Sequence, residues 1–400
     1  MPLFHSIEFN LMRTPLSQRM AQVQTPMVPV VGEWIRQHPG TISLGQGVVH
    51  YDAPNAARTA AAQAITHQRR IDRYASVLGV DELLSQIADK VIRENGIRLD
   101  DRYAIVVTSG SNMGFLNAIL AIADPGDEII LVSPFYFNHE MAIDMAGCVP
   151  VVVPAKSDYQ LDMTAVAAAI THKTRAIVTV SPNNPTGAVY SAEDLRQINQ
   201  LCQQKQIYHI SDEAYEYFLY DQVSHFSAAS LPNSGPHTIS LFTLSKAYGM
   251  AGWRMGYMVI PSDLLTNVKK IQDTNLVCPP IVNQLAAAAA MQAGQSWCQQ
   301  QIAGFQEVRN LVLHELATLG DRCTVPTPQG AFYALARLET AQSDLDIVQR
   351  LIREFGIAVM PGSTFGVDTG CSIRIAYGAL DKQTVASGMA RLVTGLKHIL

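Results

Sequence analysis

The feature that most constrains the fold of this 400-residue chain is a series of short apolar runs separated by helical stretches. The runs are AIVVTS (104–109), EIILVS (128–133), VPVVVP (149–154), RAIVTVS (175–181), QIYHIS (206–211) and TISLFTL (238–244). Continuous apolar strands that are joined by helices are typical of a mostly parallel central sheet flanked by helices on both faces. The pattern therefore predicts an α/β fold, to which GYMVIP (256–261) adds one further strand.

The two ends of the chain follow a different pattern and predict a smaller α+β domain. Residues 1–24 suggest an irregular arm, and residues 25–40 suggest a short helix that ends at Pro39-Gly40. Long helices follow residue 262, and FYALARL, a helix at 344–355, IAVMPG and SIRIAYG come after them. We expect an arm and part of the small domain in residues 1–50, a large domain in 51–290, and the rest of the small domain in 291–400.

Composition and charge exclude several classes of protein. A hydrophobic content of 48% with only 16% charged residues indicates a well-packed globular chain with some surface buried in an oligomer. A net charge of −5 gives no basic surface for nucleic acid or an anionic membrane. No apolar run reaches the length of a membrane span, and the N-terminus lacks the pattern of a signal peptide. The cysteines are scattered without metal-ligand spacing, so we expect reduced thiols, no metal site and a cytoplasmic location; they are residues 148, 202, 278, 298, 323 and 371.

Lys246 directly follows the last of the apolar runs, in the stretch TLSKAYGMAGWRMG (243–256). Lysine is rarely buried unless it is paired or used chemically, because removing its charge from water is costly. An apolar pocket lowers its pKa, which suits it to form a Schiff base with a carbonyl. The threonine, serine and arginine nearby could bind a phosphate, so the stretch suggests a site for pyridoxal phosphate. The alternative is a surface lysine beside a glycine-rich turn, and the other strand ends must decide between the two.

Polar residues follow several predicted strands, at the edge where ligands bind in sheets of this kind. Gly110, Ser111 and Asn112 open a helix whose free N–H groups would attract a phosphate, although Ser111 could be an ordinary N-cap. Asp212 could hold a protonated ring nitrogen, although it could instead cap the next helix. Tyr215 follows it three residues later.

Aromatic, amide and guanidinium groups complete the set of candidates. Tyr136 in PFYFNHE could stack on a flat ring, although aromatic clusters are more often part of a core. Asn184 lies in the loop PNNPTG and could donate to a phenolate-like oxygen. Arg374 lies inside the apolar run SIRIAYG, where its fork fits a carboxylate, and a structural salt bridge is the alternative.

Taken in order, the motifs SGS, PFY, NNPTG, DEAY, SK…GWRMG and SIR resemble those of fold-type I pyridoxal-phosphate enzymes, the class I/II aminotransferases. The resemblance extends from about residue 41 to 378. It implies that Lys246 forms the Schiff base with the cofactor aldehyde and then carries the substrate proton. It implies that Asp212 pairs with the ring nitrogen, that Tyr215 and Asn184 bind the ring oxygen, and that Tyr136 stacks on the ring.

The same resemblance implies how the phosphate and the substrate are held. Around the phosphate it places Gly110, Ser111, Asn112, Thr243, Ser245 and Arg254. Tyr74, in DRYASVLG, matches a tyrosine that reaches the phosphate in the neighbouring subunit, which implies a homodimer with shared active sites. Arg374 would bind the substrate α-carboxylate with help from Asn184 and the backbone of Gly47. The implied reaction is ping-pong transamination between an L-amino acid and a 2-oxo acid.

Departures from the family pattern bear on the substrate. The loop Gly47-Val-Val-His-Tyr51 stands where many relatives have G-x-P-D-F, and Thr243 stands where many have serine. No second arginine of the kind that binds a substrate side-chain carboxylate in aspartate aminotransferases is evident. Asn275 and its apolar neighbours occupy a region of the sequence where such an arginine could stand. These features favour a neutral, apolar or aromatic amino acid.

Other functions remain open at this point. A carbon–sulfur lyase or related elimination enzyme would use the same residues. A non-catalytic cofactor-binding regulator ranks lower, because such proteins usually carry an added DNA-binding domain. A plain nucleotide-binding protein would predict a G-x-G-x-x-G turn after an early strand, and none is present.

Overall fold

The computed structural model describes residues 17–400, so most of the expected N-terminal arm lies outside the described residues. The helices are α1 (Gln18–Gln22), α2 (Met27–Gln37), α3 (Asn55–His67), α4 (Asp81–Arg93), α5 (Ser111–Ile122), α6 (Phe137–Met145), α7 (Met163–Ala168), α8 (Ala192–Lys205), α9 (Leu265–Asn275), α10 (Ile281–Gln292), α11 (Gly294–Ile302), α12 (Phe305–Ala317), α13 (Asp344–Phe355) and α14 (Lys382–Ile399). Helix α1 corrects the prediction of an irregular arm over its described part. Ser17 stabilises the start of this helix by accepting a hydrogen bond from the backbone N–H of Met20.

A seven-stranded sheet forms the centre of the fold, in the order β2-β8-β7-β6-β5-β3-β4. The strands of the protein are β1 (Ile42–Ser43), β2 (Tyr103–Thr108), β3 (Glu128–Ser133), β4 (Val149–Pro154), β5 (Thr174–Val180), β6 (Tyr208–Asp212), β7 (Thr238–Thr243), β8 (Gly256–Pro261), β9 (Cys323–Thr324), β10 (Tyr333–Leu338), β11 (Ile357–Ala358), β12 (Met360–Pro361) and β13 (Cys371–Ala376). Within the large sheet only β8 runs antiparallel to its neighbours, because residues 244–255 form no crossover α-helix. The predicted α/β class and every predicted strand of this sheet are confirmed.

Alternate residues of the central strands pack into different cores, as expected for a sheet with helices on both faces. Ile129 and Leu131 of β3 pack in a cluster with residues of α5, α6 and α9. Ile130 and Val132 of the same strand pack in a second cluster with residues of α7 and α8. Burial on both faces explains why these strands read as continuous apolar runs.

The smaller domain contains a four-stranded antiparallel sheet in the order β12-β13-β10-β9. Strand β1 pairs in parallel with β11, which joins the N-terminal part of the chain to the C-terminal part. The structure thus confirms a small domain built from both chain ends, whereas the exact boundaries at residues 50 and 290 remain a prediction. Between residues 17 and 400, no helix is long and apolar enough to cross a membrane. None of the six cysteines forms a disulfide.

Candidate active site

A cavity of about 240 Å³ lies at the carboxyl ends of β5, β6 and β7. It brings together most of the candidate residues that the sequence predicts. They are Ser111, Asn112, Tyr136, Asn184, Asp212, Tyr215, Thr243, Ser245, Lys246 and Arg254. These residues come from loops that are far apart in the sequence, and the parallel sheet places them at one edge.

Lys246 enters the cavity just after β7 and is held by backbone rather than by an acid. Its Nζ donates a hydrogen bond of 2.6 Å to the carbonyl oxygen of Gly47. Burial lowers the pKa of Lys246 to about 8, and the positive charges of Arg374 and Arg254 add to this, while Asp212 opposes it. A substantial fraction of the side chain is therefore the neutral, nucleophilic amine near physiological pH.

Asp212 ends β6 with its carboxylate in the cavity. Its Oδ1 accepts a hydrogen bond of 3.1 Å from the N–H of Ala214, and its Oδ2 lies 3.1 Å from Nε2 of His139. A turn follows Asp212, so capping of an α-helix does not account for this residue. The His139 ring stacks on Phe115 with ring centroids 4.0 Å apart, which fixes its orientation.

His139 is a site residue that the sequence interpretation missed. It lies on α6, three residues after Tyr136, and the two rings are in edge contact at 5.3 Å. Residues three apart share a face of a helix, so the spacing within PFYFNHE was the available signal.

A buried polar network holds the turn that carries Asp212 and Tyr215. Glu216 accepts hydrogen bonds from Lys90 and Asn95 of the segment around α4. Glu213 accepts a hydrogen bond from Ser227 and contacts His225. Breaking such a network would leave a buried charge without a partner, which is costly, so the turn is firmly positioned.

Tyr215 has two polar neighbours in the cavity wall. Its hydroxyl lies 2.8 Å from the hydroxyl of Tyr333, and Nδ2 of Asn184 donates to it at 3.5 Å. Burial raises the pKa of Tyr215 well above its ordinary value. The hydroxyl therefore stays protonated at neutral pH and can donate to a bound oxygen.

The N-terminus of α5 and the segment around Arg254 form a cradle that fits a phosphate. Gly110 precedes the helix with φ of 81°, and no side chain caps this end, so the alternative role of Ser111 as an N-cap is wrong. A Cβ on Gly110 would lie 2.5 Å from Nη2 of Arg254, which shows how closely the guanidinium approaches the helix. The hydroxyls of Thr243 and Ser245 lie 2.9 Å apart beside it. Free helix N–H groups, hydroxyls and a guanidinium together suit a phosphate.

Arg374 is buried on β13 beside the cavity and makes no ion pair with any residue between 17 and 400. Its Nη1 donates to Oδ1 of Asn184 at 3.0 Å, and its Nη2 donates to the carbonyl of Gly45 at 2.7 Å. Its Nε is buried without a partner. The structural salt bridge considered from the sequence is therefore absent, and the guanidinium retains capacity for an anion.

Three other candidates are placed differently. Gly47 does not line the cavity but lies beside it, where its carbonyl accepts a hydrogen bond from Lys246 and a Cβ would lie 2.8 Å from the Tyr333 hydroxyl. Tyr74 is 83% exposed and does not line the cavity of its own chain. Asn275 is exposed at the end of α9 and does not line it either.

Residues 39–392 match the model of a protein family described as aminotransferase class I and II. The chain belongs to this family. The aminotransferase is 32% identical over 390 residues to aromatic-amino-acid aminotransferase 2 of Thermococcus litoralis, a match that covers 96% of this chain and 98% of the relative. It is 33% identical over 343 residues to an aspartate aminotransferase of Pyrococcus abyssi, with 84% of this chain and 87% of the relative covered.

Solved structures agree with this family assignment. An aromatic aminotransferase from Pyrococcus horikoshii matches with a TM-score of 0.84 and 32% identity, over 92% of this chain and 99% of that one. A double mutant of Thermus thermophilus aspartate aminotransferase matches with a TM-score of 0.88 and 29% identity, over 96% and 100% of the two chains. The predicted family, fold type and transaminase activity are confirmed, and none of these relatives is named as a lyase.

The lowered pKa of Lys246 can be measured in cofactor-free protein. Because only the neutral amine reacts, acetylation of Lys246 by acetic anhydride should rise with pH around a midpoint of about 8. Arg374→Gln should move the midpoint upward, since it removes a repelling positive charge, and Asp212→Asn should move it downward. Peptide mass spectrometry across a pH series gives the midpoints. Equal shifts of the same sign in both variants would show that packing rather than charge sets the pKa.

Proposed function

We propose that this aminotransferase binds pyridoxal 5′-phosphate at Lys246 and exchanges amino groups between a neutral, apolar or aromatic L-amino acid and a 2-oxo acid. The observation that carries the proposal is the shared cavity of Lys246, Asp212 and the anion cradle at the start of α5. The amine of Lys246, with its lowered pKa, suits the cofactor aldehyde, and the buried carboxylate of Asp212 suits the ring nitrogen. The hydrogen-bond donors of the anion cradle suit the phosphate.

The donor set fits the phosphate in detail. Ser111, Asn112, Thr243, Ser245 and Arg254 would hold it, with Gly110 leaving the close approach that a side chain would block. A phosphate there would also compensate the charge of Arg254, which is held by the carbonyl of Ala251 and by no carboxylate among the described residues.

When bound, the cofactor supplies an aldehyde that exchanges amines and a ring that accepts electrons from the substrate Cα. Lys246 would provide the amine that holds it and would take and return the Cα proton. Its pKa of about 8 keeps both protonation states accessible near neutral pH, as an acid–base group requires.

Asp212, Tyr215 and Asn184 would set the protonation of the ring. The Asp212 carboxylate would keep the ring nitrogen protonated, and His139 would hold that carboxylate in place. Tyr215 and Asn184 would each donate a hydrogen bond to the ring oxygen. Tyr136, whose hydroxyl accepts from Asn138, would lie against the face of the ring.

Arg374 would bind the substrate α-carboxylate, with Asn184 and the backbone of Gly47 beside it. Aromatic rings surround the guanidinium, with Tyr333 at 4.7 Å and Phe365 at 4.6 Å from its carbon. Among the described residues of one subunit, Lys246 and Arg254 are the cations that line the cavity, and the proposal assigns both of them to the cofactor. This supports a neutral or aromatic donor, and the relatives include enzymes named for aromatic and for aspartate substrates.

A homodimer with shared sites is also part of the proposal. Tyr74 is 83% exposed and Ile65 is 65% exposed, so both side chains are accessible to a second subunit. We place Tyr74 against the phosphate of the partner subunit, because it is absent from the cavity of its own chain.

An absorbance spectrum tests the reaction directly. Purified protein with pyridoxal phosphate should show a visible band that an aromatic amino acid converts to a pyridoxamine band, and a 2-oxo acid should restore it. Lys246→Ala should lose turnover by at least about a thousandfold while keeping its circular dichroism spectrum, because the loss is chemical. Release of pyruvate and ammonia from a cysteine-type substrate would instead establish the elimination alternative.

Arg374→Ala should raise KM for both the amino acid and the 2-oxo acid by about a hundredfold, because the carboxylate loses a two-point charged contact. Arg374→Lys keeps a positive charge but loses the two-point geometry of the guanidinium. Its KM values should therefore lie between those of the wild type and those of Arg374→Ala. Steady-state kinetics with both substrates gives the values. An unchanged KM for either substrate would mean that another group binds the carboxylate.

Mixing two impaired variants tests the shared site. Tyr74→Ala should weaken cofactor binding, and Lys246→Ala should remove turnover. If Tyr74 serves the partner, mixed dimers contain one intact site, and activity at limiting cofactor should return to about a quarter of the wild-type value. Pull-down through an affinity tag carried by only one of the two variants must show that subunits have exchanged. Mixed dimers without any recovered activity would place Tyr74 outside the shared site.

A further inference from the structure

Tyr333 contacts the site through two different parts of its side chain. It is fully buried at the start of β10, and its hydroxyl lies 2.8 Å from that of Tyr215. Its ring lies under the Arg374 guanidinium, 4.7 Å from the guanidinium carbon. Strand pairing explains this position, because Arg374 lies directly opposite Leu335 and Tyr333 is therefore its diagonal neighbour.

A bound ligand oxygen would decide which hydroxyl donates in the hydrogen bond between Tyr215 and Tyr333. Burial raises the pKa of Tyr333 to about 12 and the pKa of Tyr215 well above its ordinary value, so both hydroxyls keep their protons at neutral pH. If Tyr215 donates its proton to a bound oxygen, the proton in the pair must come from Tyr333. Successive hydrogen bonds polarise one another, so the donation by Tyr333 strengthens the donation by Tyr215.

Gly47 leaves the space that the Tyr333 hydroxyl occupies. A Cβ at position 47 would lie 2.8 Å from this hydroxyl and 3.9 Å from Nζ of Lys246. The hydroxyl of Tyr333 therefore lies between the loop that contacts Lys246 and the hydroxyl of Tyr215. A bulkier residue at position 47 would displace it.

We infer that Tyr333 is a positioning residue that orients and polarises the Tyr215 hydroxyl toward the cofactor ring oxygen while its ring supports Arg374. The inference rests on the proposed binding of pyridoxal phosphate. It assigns no contact between Tyr333 and the cofactor. A hydrogen bond to the ring oxygen favours the form in which that oxygen carries more negative charge, which is the form that has lost the nearby proton.

The test is a pH titration of the bound cofactor's visible absorbance, which reports the proton held between its ring oxygen and the Lys246 nitrogen. Tyr333→Phe keeps the ring and removes the hydroxyl, so the midpoint should rise by about half a pH unit. KM for the amino acid should stay within about twofold, because the ring under Arg374 remains. In a Tyr215→Phe background, Tyr333→Phe should add no further shift, since the effect passes through Tyr215.

Tyr220→Phe is the matched control for the loss of a buried tyrosine hydroxyl. Tyr220 is also buried, and its hydroxyl donates to the carbonyl of Ala331, close to Tyr333 in the chain. Its hydroxyl makes no hydrogen bond with Tyr215, so its variant should titrate like the wild type. An equal shift in this control would show that the effect of Tyr333→Phe is general loosening, and would overturn the inference.

An isosteric change keeps the proposal testable if Tyr333→Phe folds poorly. A 3-fluorotyrosine introduced at position 333 is a stronger donor of nearly the same shape, and it should lower the midpoint. A midpoint that is unchanged in both variants overturns the role of Tyr333 and leaves the proposed function intact. A wild-type protein without any visible cofactor band overturns the proposed function and this inference together.

Discussion

The repulsion among three cationic side chains is the constraint on which the site depends. Lys246, Arg254 and Arg374 lie around one cavity, and both arginines help to lower the pKa of Lys246. Asp212 is the carboxylate that opposes them among the described residues that line the cavity. Bringing three positive charges together in a cavity that is partly shielded from water is unfavourable unless anions bind beside them. The site is therefore suited to a ligand pair with a phosphate near Arg254 and a carboxylate near Arg374.

The three cationic side chains come from different parts of the fold. Lys246 and Arg254 both lie in the segment that joins the antiparallel strands β7 and β8, whereas Arg374 belongs to the sheet of the small domain. A ligand that contacts all three must touch both domains. Backbone groups do much of the holding, since the carbonyls of Gly45, Gly47 and Ala251 accept hydrogen bonds from Arg374, Lys246 and Arg254 respectively.

The sequence predicted the large sheet well because its strands are buried on both faces and read as continuous apolar runs. It also predicted the site residues that follow predicted strands, such as Asp212 and Lys246. Ligands bind at the carboxyl ends of the strands in sheets of this kind, so the position of a residue just after a strand is enough to make it a candidate. It missed His139 and Tyr333, whose importance comes from contacts with residues distant in the chain. It also left the roles of Ser111 and Arg374 open, because capping and salt-bridge partners depend on three-dimensional neighbours. The proposed role of Tyr74 requires a second subunit, so neither one sequence nor one folded chain can test it.

Four of the site residues form a closed ring of contacts. Arg374 donates to Asn184, Asn184 donates to Tyr215, Tyr215 pairs with Tyr333, and the Tyr333 ring lies under Arg374. The amide of Asn184 cannot rotate by half a turn without losing both of its hydrogen bonds, so its orientation is fixed by its two neighbours. Under the proposed function, a carboxylate bound to Arg374 would therefore act on the same four side chains that include the donors to the cofactor's ring oxygen. Substrate binding and the protonation of the cofactor would then be coupled through these contacts, and by linkage each would influence the other to the same extent.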